Sequence, residues 1–295
     1  MSRSSTGLRP IYLFCTIGSR YLVGTVGSWY LPGMMTKVRF TVAYDGTGFC
    51  GWQKQKQEDQ ISVAHVIERA LEKVFAEKIT LFASGRTDAG VHALNQVCHF
   101  STHRKIDPAK KWDLCWALNA HLPPSIVVKK AWIAPEDFHA TLSATHKTYR
   151  YLILNRPRPS AHLNRYAEWV RMPIDITHLQ ESSKILSGNH DFKSFQSVGT
   201  PVKDTVREIY QADWEWRRPE VLQFTVTGNG FLKQMVRNIV GTSLMLERKG
   251  QKPSKIKEII EAQDRRQAGP PAPAQGLYLM RVYYPQDLDN RCIEL

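Results

Sequence analysis

A single carboxylate, Asp88, lies in a short polar segment between Gly85 and Gly90, directly after the apolar run from Ile79 to Ala83. This order predicts a strand end that passes into a tight loop, because glycine lets the backbone turn and approach a ligand closely. Arg86 stands two residues before the carboxylate, and a neighbouring guanidinium favours its ionised form. An ionised, positioned carboxylate can act as a nucleophile or a base. The alternative is a type I turn in which Asp88 only accepts hydrogen bonds from backbone N–H groups.

Two further side chains could act with that carboxylate. Tyr149 opens a predicted strand, and an aromatic ring at a cleft can stack on an extruded base while its hydroxyl reaches a polar atom. The strand preference of tyrosine equally fits a packing residue. Arg237 interrupts an apolar helix and falls about 140° from the centre of its apolar stripe, so its side chain points away from that core. A solvated surface arginine is the alternative for Arg237.

The charge of the chain indicates an anionic partner. Its 295 residues include 40 Lys and Arg against 27 Asp and Glu, a formal charge of +13, which suits nucleic acid or an anionic membrane surface. The five cysteines are scattered without a Cys-x-x-Cys pair, which predicts a reducing compartment and no disulfide framework. His99 and His103 lie on a predicted strand, where their spacing makes no compact metal site. Nucleotide-binding fingerprints are absent from the sequence, so we expect neither a metal nor a cofactor.

Residues 1–34 differ in composition from the rest of the chain. They contain three arginines, no acidic residue and no periodic pattern. The apolar run from Ile11 to Ile17 is far shorter than the roughly 20 residues of a membrane helix, although it imitates the core of a signal peptide. Met34 and Met35 stand directly before the first convincing strand, which favours a start codon assigned too far upstream. We expect this segment to be disordered or mis-assigned, and the protein to be cytoplasmic.

After Met35 the apolar pattern forms two successive units of the same layout. Each is predicted to run strand, helix, strand, strand, helix, strand, the first over 35–145 and the second over 146–285 with one extra helix, before a tail at 286–295. The predicted strands are 37–45, 79–84, 95–102, 126–133, 149–154, 206–216, 222–226 and 277–283, and the predicted helices are 63–75, 109–118, 176–186, 231–246 and 254–262. A βαββαβ order is that of a ferredoxin-like unit. The fold class is therefore α+β, with two antiparallel ferredoxin-like halves sharing a cleft.

The string from Gly85 to His92 resembles the active-site motif of the TruA family of tRNA pseudouridine synthases. Further motifs of that family follow in order over about 37–285. They include Gly51-Trp52-Gln53, Asp137-Phe138-His139-Ala140, Tyr149-Arg150-Tyr151, Met235-Val236-Arg237-Asn238 and Gly276-Leu277-Tyr278-Leu279. The resemblance implies two ferredoxin-like halves in one extended antiparallel sheet with helices packed on it, an active site in the central cleft, and a homodimer.

The resemblance also implies roles for the four candidate residues. Asp88 corresponds to the catalytic nucleophile and Tyr149 to the residue that binds the target uridine, while Arg86 and Arg237 are expected to support the carboxylate, Arg237 from across the cleft. The implied reaction is isomerisation of uridine to pseudouridine in the anticodon stem-loop of tRNA, at tRNA positions 38, 39 and 40, after the base is flipped out of its stack. Attack by Asp88 at the anomeric carbon and at carbon 6 of uracil both remain open.

Two other functions fit part of the sequence. A non-catalytic tRNA-binding protein or RNA chaperone of the same fold would explain the charge and the aromatic residues equally well. It would not explain a carboxylate in an anion-binding cleft, where Asp88 repels phosphate. A hydrolase with an aspartate nucleophile lacks a recognisable partner acid.

The chain departs from the family pattern at three places. Thr141-Leu142 stands where Arg-Phe is usual, Asn95 replaces a usual glycine and Pro271 replaces a usual threonine. The first departure removes a cationic group near the expected RNA path. None of the three alters Asp88, Tyr149 or Arg237.

Overall fold

The computed structural model describes residues 35–53, 61–110, 112–197, 199 and 203–295, together with the backbone of 13–17 and 20–24. Most of the segment 1–34 lies outside the described residues, so its expected disorder or mis-assigned start stays a prediction. Within it, the strands β1 (Leu13–Ile17) and β2 (Arg20–Gly24) pair antiparallel, which the sequence pattern did not indicate.

The remaining elements follow the predicted order closely. The strands are β3 (Thr36–Tyr44), β4 (Phe82–Ala83), β5 (His92–Thr102), β6 (Ile126–Ile133), β7 (His146–Asn155), β8 (Glu168–Val170), β9 (Gly188–Asp191), β10 (Val206–Arg218), β11 (Val221–Gly228), β12 (Leu277–Tyr283) and β13 (Ile293–Glu294). The helices are α1 (Val63–Phe75), α2 (Leu114–Asn119), α3 (Ile176–Leu186), α4 (Met235–Arg248), α5 (Lys255–Ala262) and α6 (Gln286–Asn290).

The strands β3 to β13 form one 11-stranded sheet. Its order is β13-β6-β3-β5-β12-β7-β11-β10-β9, with β4 paired to β5 and β8 paired to β7. The first half contributes β6-β3-β5-β4 and the second contributes β12-β7-β11-β10, so each half places its four strands in the order fourth, first, third, second. This is the ferredoxin-like pairing. The prediction of an α+β fold with two βαββαβ halves in one sheet is confirmed.

The two halves meet along a parallel strand pair, which corrects the expectation of a wholly antiparallel sheet. Tyr278 of β12 lies opposite His92 of β5, and Leu279 lies opposite Ala93. The same edge of β5 pairs with β4 at its other end, so that two strands share one edge. The chain between β4 and β5 therefore leaves the sheet where the second half joins the first. Residues 84–91, which carry Asp88, form this connection.

Two helices begin later than the apolar spacing predicts, each for a local reason. The predicted helix over 109–118 starts only at Leu114, because the Asp113 side chain accepts a hydrogen bond from Trp116 N and caps a new helix there. The predicted helix over 231–246 starts at Met235, because Gln234 has a left-handed backbone conformation with φ 58°. Phe231 and the residues after it thus form an irregular segment beside the junction of the two halves.

The predicted tail is an ordered part of the first half. Residues 286–290 form α6, and Ile293 of β13 pairs with Ile133 at the edge strand β6. The main core is one continuous cluster of buried apolar residues that includes Phe40 of β3 and Leu71 of α1, both fully buried. Among the described residues, no helix is long and apolar enough to cross a membrane.

The segment that leads to β12 packs directly on α4 at Gly241. A Cβ atom at this glycine would lie 2.0 Å from Pro270 O and 2.9 Å from Ala272 N, so the two backbones touch. Gly269 and Ala272 are buried in this contact, while Pro270, Pro271 and Pro273 are exposed.

We expect Gly241→Ala to lower the free energy of unfolding by about 3 kcal/mol, because backbone atoms must move to admit the methyl group. This cost should exceed the gain of about 1 kcal/mol in helix propensity. The matched control is Gly48→Ala, which has φ +82° but no atom within 4 Å of its added Cβ; it should cost about 1 kcal/mol. Urea unfolding measures both values, and equal costs would contradict a backbone contact at Gly241.

Candidate active site

A cleft of about 840 Å³ opens where the two halves join. The first half lines it with the loop that contains Arg86 and Asp88. The second half lines it with Tyr149 of β7, Arg207 of β10 and the segment that runs from residue 231 into the first turn of α4, which carries Arg237. All four residues singled out in the sequence therefore face one cavity.

Asp88 and Arg237 form an ion pair across this cleft. Asp88 Oδ2 accepts a hydrogen bond from Arg237 Nη1 at 3.0 Å. The guanidinium also donates from Nε to Ala272 O at 2.8 Å, and Ala272 N donates back to Arg237 O at 2.9 Å. The Arg237 side chain is 12% exposed and the Asp88 side chain 30%. The arginine is thus fixed at two points, while the carboxylate remains accessible from the cleft.

Buried neighbours hold the loop on either side of the carboxylate. Thr87 Oγ1 and Tyr44 Oη lie 2.8 Å apart, and Trp52 N donates to Thr87 O at 3.0 Å. Gly51 allows this contact, since a Cβ there would lie 2.7 Å from Thr87 O and 3.1 Å from the carbonyl carbon of Asp88. Because Thr87 points inward, its neighbour Asp88 is presented to the cleft with little freedom to move.

A residue of the second half fixes the strand end that precedes Asp88. Lys147 Nζ of β7 donates to Ser84 O at 2.8 Å. Gln96 Nε2 donates to Gly85 O at 2.8 Å, and Ser84 Oγ donates to Gln96 Oε1. Burial lowers the pKa of the Lys147 ammonium. The backbone before the carboxylate therefore depends on contacts from both halves.

Tyr149 places a buried ring at the wall of the cleft. It is 9% exposed, and its ring packs edge-on against Phe231 with centroids 5.0 Å apart. Burial, and after it the negative charge of Asp88, raise the pKa of the Tyr149 hydroxyl far above its usual range. Tyr149 consequently carries its proton at neutral pH and offers the cleft a neutral hydrogen-bond donor.

Arg86 is exposed at the rim of the cleft instead of contacting the carboxylate. Of the two arginines expected to support Asp88, Arg237 forms an ion pair with it across the cleft, and Arg86 forms none in the described part of the chain. The physical reason is that the Arg237 guanidinium is already fixed by Ala272, whereas Arg86 would lose hydration and side-chain freedom to form the same pair. Arg86 remains available to an anionic group at the entrance.

Three lining residues were missed in the sequence: Arg207, Lys233 and Gln234. Lys233 and Gln234 fell inside the overlong helix prediction, so their position before the first turn was hidden. The hairpin pattern predicted an uninterrupted alternation along β10, but a register shift between Ile209 and Gln211 breaks it after Arg207. No local signal placed Arg207 beside Asp88, because the two residues come together only through strand pairing.

The departures from the expected motifs have structural counterparts near the junction. Asn95 Nδ2 donates to Met280 O at 2.8 Å, so this side chain links β5 to β12. Lys129 Nζ donates to Asn95 Oδ1 at 2.8 Å. Thr141 Oγ1 donates to Ala83 O at 2.6 Å at the end of β4. Asn95 therefore links the two halves, whereas the bond of Thr141 lies within the first half.

A carboxylate held at the junction of two ferredoxin-like halves, beside cationic side chains and a neutral tyrosine, is an arrangement that can serve nucleophilic or acid–base chemistry on an anionic substrate. Residues 41–141 and 183–285 match a family model described as tRNA pseudouridine synthase, and the chain belongs to that family. The first matched range contains Asp88 and the second contains Arg237. Tyr149 lies between the two ranges.

Curated relatives named tRNA pseudouridine synthase A are similar over most of the chain. The protein of Bdellovibrio bacteriovorus is 87% identical over 262 residues, which cover 89% of this chain and 100% of the relative. The protein of Ruminiclostridium cellulolyticum is 43% identical over 250 residues, covering 85% of this chain and 100% of the relative. The protein of Bacillus subtilis is 42% identical over 250 residues, covering 84% and 99%.

Proposed function

We propose that this protein isomerises uridine to pseudouridine in tRNA with Asp88 as the nucleophile. The observation that carries the proposal is the Asp88–Arg237 ion pair at 3.0 Å inside the shared cleft of a chain with a charge of +13. A carboxylate repels phosphate and weakens RNA binding. Its presence in such a cleft is therefore best explained by a role in the reaction. Membership of the tRNA pseudouridine synthase family supports the same reaction.

The reaction needs no change in oxidation state. The target base is flipped into the cleft, where Asp88 attacks either the anomeric carbon of the ribose or carbon 6 of uracil. The bond from the ribose to nitrogen 1 breaks and its electron pair stays on the base. The ring then turns, carbon 5 bonds to the anomeric carbon, and the carboxylate is released. The proton of carbon 5 is lost and nitrogen 1 gains one, so the product is an isomer of the substrate.

Arg237 and Tyr149 take separate parts in this scheme. Arg237 holds the carboxylate in the orientation for attack, because its guanidinium is anchored to Ala272 O. Tyr149 presents its ring beside Phe231 as a surface for uracil. Since its hydroxyl is protonated, it can take the proton of carbon 5 only while it passes its own proton to the released carboxylate of Asp88, which then gives a proton to nitrogen 1.

We expect Asp88→Asn to abolish turnover while tRNA binding stays equal or becomes slightly tighter, because size is kept and a negative charge near phosphates is removed. Loss of a covalent step should lower the rate by several powers of ten, about 10³-fold or more. The matched control is Asp213→Asn, which removes an exposed carboxylate that bonds to Gln211 on β10. Residual activity of about a tenth or more of wild type would show that the nucleophile is another group.

Tyr149→Phe keeps the ring against Phe231 and removes only the hydroxyl. We expect binding to persist and the single-turnover rate to fall by roughly 10²- to 10⁴-fold, as for loss of a group in proton transfer. Tyr210→Phe is the control, because Tyr210 is 50% exposed. An unchanged single-turnover rate would leave Tyr149 as a stacking surface only.

The anticodon stem-loop as substrate, the homodimer and a cytoplasmic location are further parts of the proposal. They are supported by the TruA-like motifs and by the charge of +13. If four to six phosphates are neutralised, log affinity should fall with log salt with a slope of roughly −3 to −5. Filter binding of tRNA and of an isolated anticodon stem-loop measures this slope, and light scattering gives the mass. A fully active monomer would contradict the dimer, and a salt slope near zero would contradict the contacts to four to six phosphates.

A further inference from the structure

One buried hydroxyl behind the cleft contacts two oxygen atoms. Tyr151 of β7 is fully buried, and its Oη lies 2.9 Å from Glu168 Oε2 of β8 and 2.8 Å from Pro273 O. Its ring packs directly on Gly276, where a Cβ would lie 2.6 Å from Tyr151 Cζ. Both contacts have hydrogen-bond length, and both partners are oxygen atoms.

The number of protons shared by these three oxygen atoms decides which of the two contacts are hydrogen bonds. A tyrosine hydroxyl has one proton to donate, and a backbone carbonyl has none. If Tyr151 donates to Pro273 O, its contact with Glu168 is a hydrogen bond only when the carboxyl group brings a proton of its own. We propose that Glu168 is a protonated carboxylic acid that donates to Tyr151, and that this hydrogen-bond chain positions Arg237 for the reaction.

From Pro273 the contacts continue through Ala272 and Arg237 to Asp88. Pro273 directly follows Ala272, whose O accepts from Arg237 Nε at 2.8 Å and whose N donates to Arg237 O at 2.9 Å. Arg237 in turn holds Asp88. Glu168 is therefore a positioning residue, and the inference rests on the proposed roles of Asp88 and Arg237.

The surroundings of Glu168 allow it to change its protonation state. It lines a cavity of about 330 Å³ together with Arg248 and Lys249, at the end of α4. Burial raises the pKa of Glu168, while the bond to Tyr151 and the charge of Arg248 lower it, and the net direction is upward. Burial raises the pKa of Tyr151 far above its usual range, the charge and hydrogen bond of Glu168 act in the same direction, and Arg237 acts in the opposite one. The tyrosine thus keeps its proton and Glu168 is the group that titrates.

The sign of the pH dependence follows from the raised pKa. The folded protein favours the protonated carboxyl, so this contribution is present at low pH and is lost as pH rises through the folded-state pKa of Glu168. Once Glu168 is ionised, the Tyr151 proton turns to the carboxylate, because a bond to a charged acceptor is stronger. Pro273 O then loses its hydrogen bond from Tyr151. The segment that contains Ala272 is held less firmly, and so is the Arg237 guanidinium bonded to Ala272 O.

The first test compares Glu168→Gln and Glu168→Ala with wild type in single-turnover assays across pH. A glutamine amide can donate to Tyr151 at every pH, so Glu168→Gln should stay within about twofold of wild type at low pH and lack the decline expected of wild type as pH rises. Glu168→Ala removes the only carboxylate of this contact that could draw the Tyr151 proton away from Pro273 O, so its rate should not decline with Glu168 as pH rises. A decline with rising pH that is as large in Glu168→Gln or Glu168→Ala as in wild type would overturn the proposal.

The second test measures the proton directly and does not depend on activity. The infrared difference spectrum of wild type minus Glu168→Gln should contain the carbonyl stretch of a protonated carboxylic acid, which disappears as pH rises. A carboxylate band at every pH would overturn the inference. Turnover by Asp88→Asn would refute the proposed function while leaving this spectrum unchanged, so the two failures are distinguishable.

Discussion

The ion pair between Asp88 and Arg237 is the contact on which the rest of the site depends, because each half of the protein supplies one partner. Asp88 sits on a loop of the first half, and Arg237 sits in the first turn of α4 in the second half. Neither half contains a complete site. The parallel pairing of β5 with β12 sets the distance between them, and Asn95 and Lys147 add further links across the same joint.

Partial burial makes this pair both useful and vulnerable. With side-chain exposures of 12% and 30%, the two charges are screened less than a surface pair, and loss of either partner leaves the other poorly compensated. Around the pair, Arg86 and Arg207 face the same cleft. A cleft that attracts a polyanion therefore holds a carboxylate whose charge is balanced by a fixed arginine.

Arg237 is held by backbone atoms of the segment that precedes β12, on the side away from Asp88. The segment from Gly269 to Pro273 lies against α4 at Gly241 and against the ring of Tyr151, and Ala272 offers both its N and its O to Arg237. A shift of this segment moves the guanidinium with it. A protonation change at Glu168 can thus reach Asp88 without any direct contact between the two carboxyl groups.

The sequence by itself determined the order of the elements, both βαββαβ units and the loop that carries Asp88, because apolar periodicity and turn residues act over short stretches of chain. It also indicated Tyr149 and Arg237 as candidates. Tertiary structure alone decided that β5 and β12 run parallel and that Arg86 stays at the rim of the cleft, outside the ion pair. Glu168 and Arg207 gave no local signal. These contacts join residues far apart in the chain, and only the pairing of strands brings them within hydrogen-bond distance.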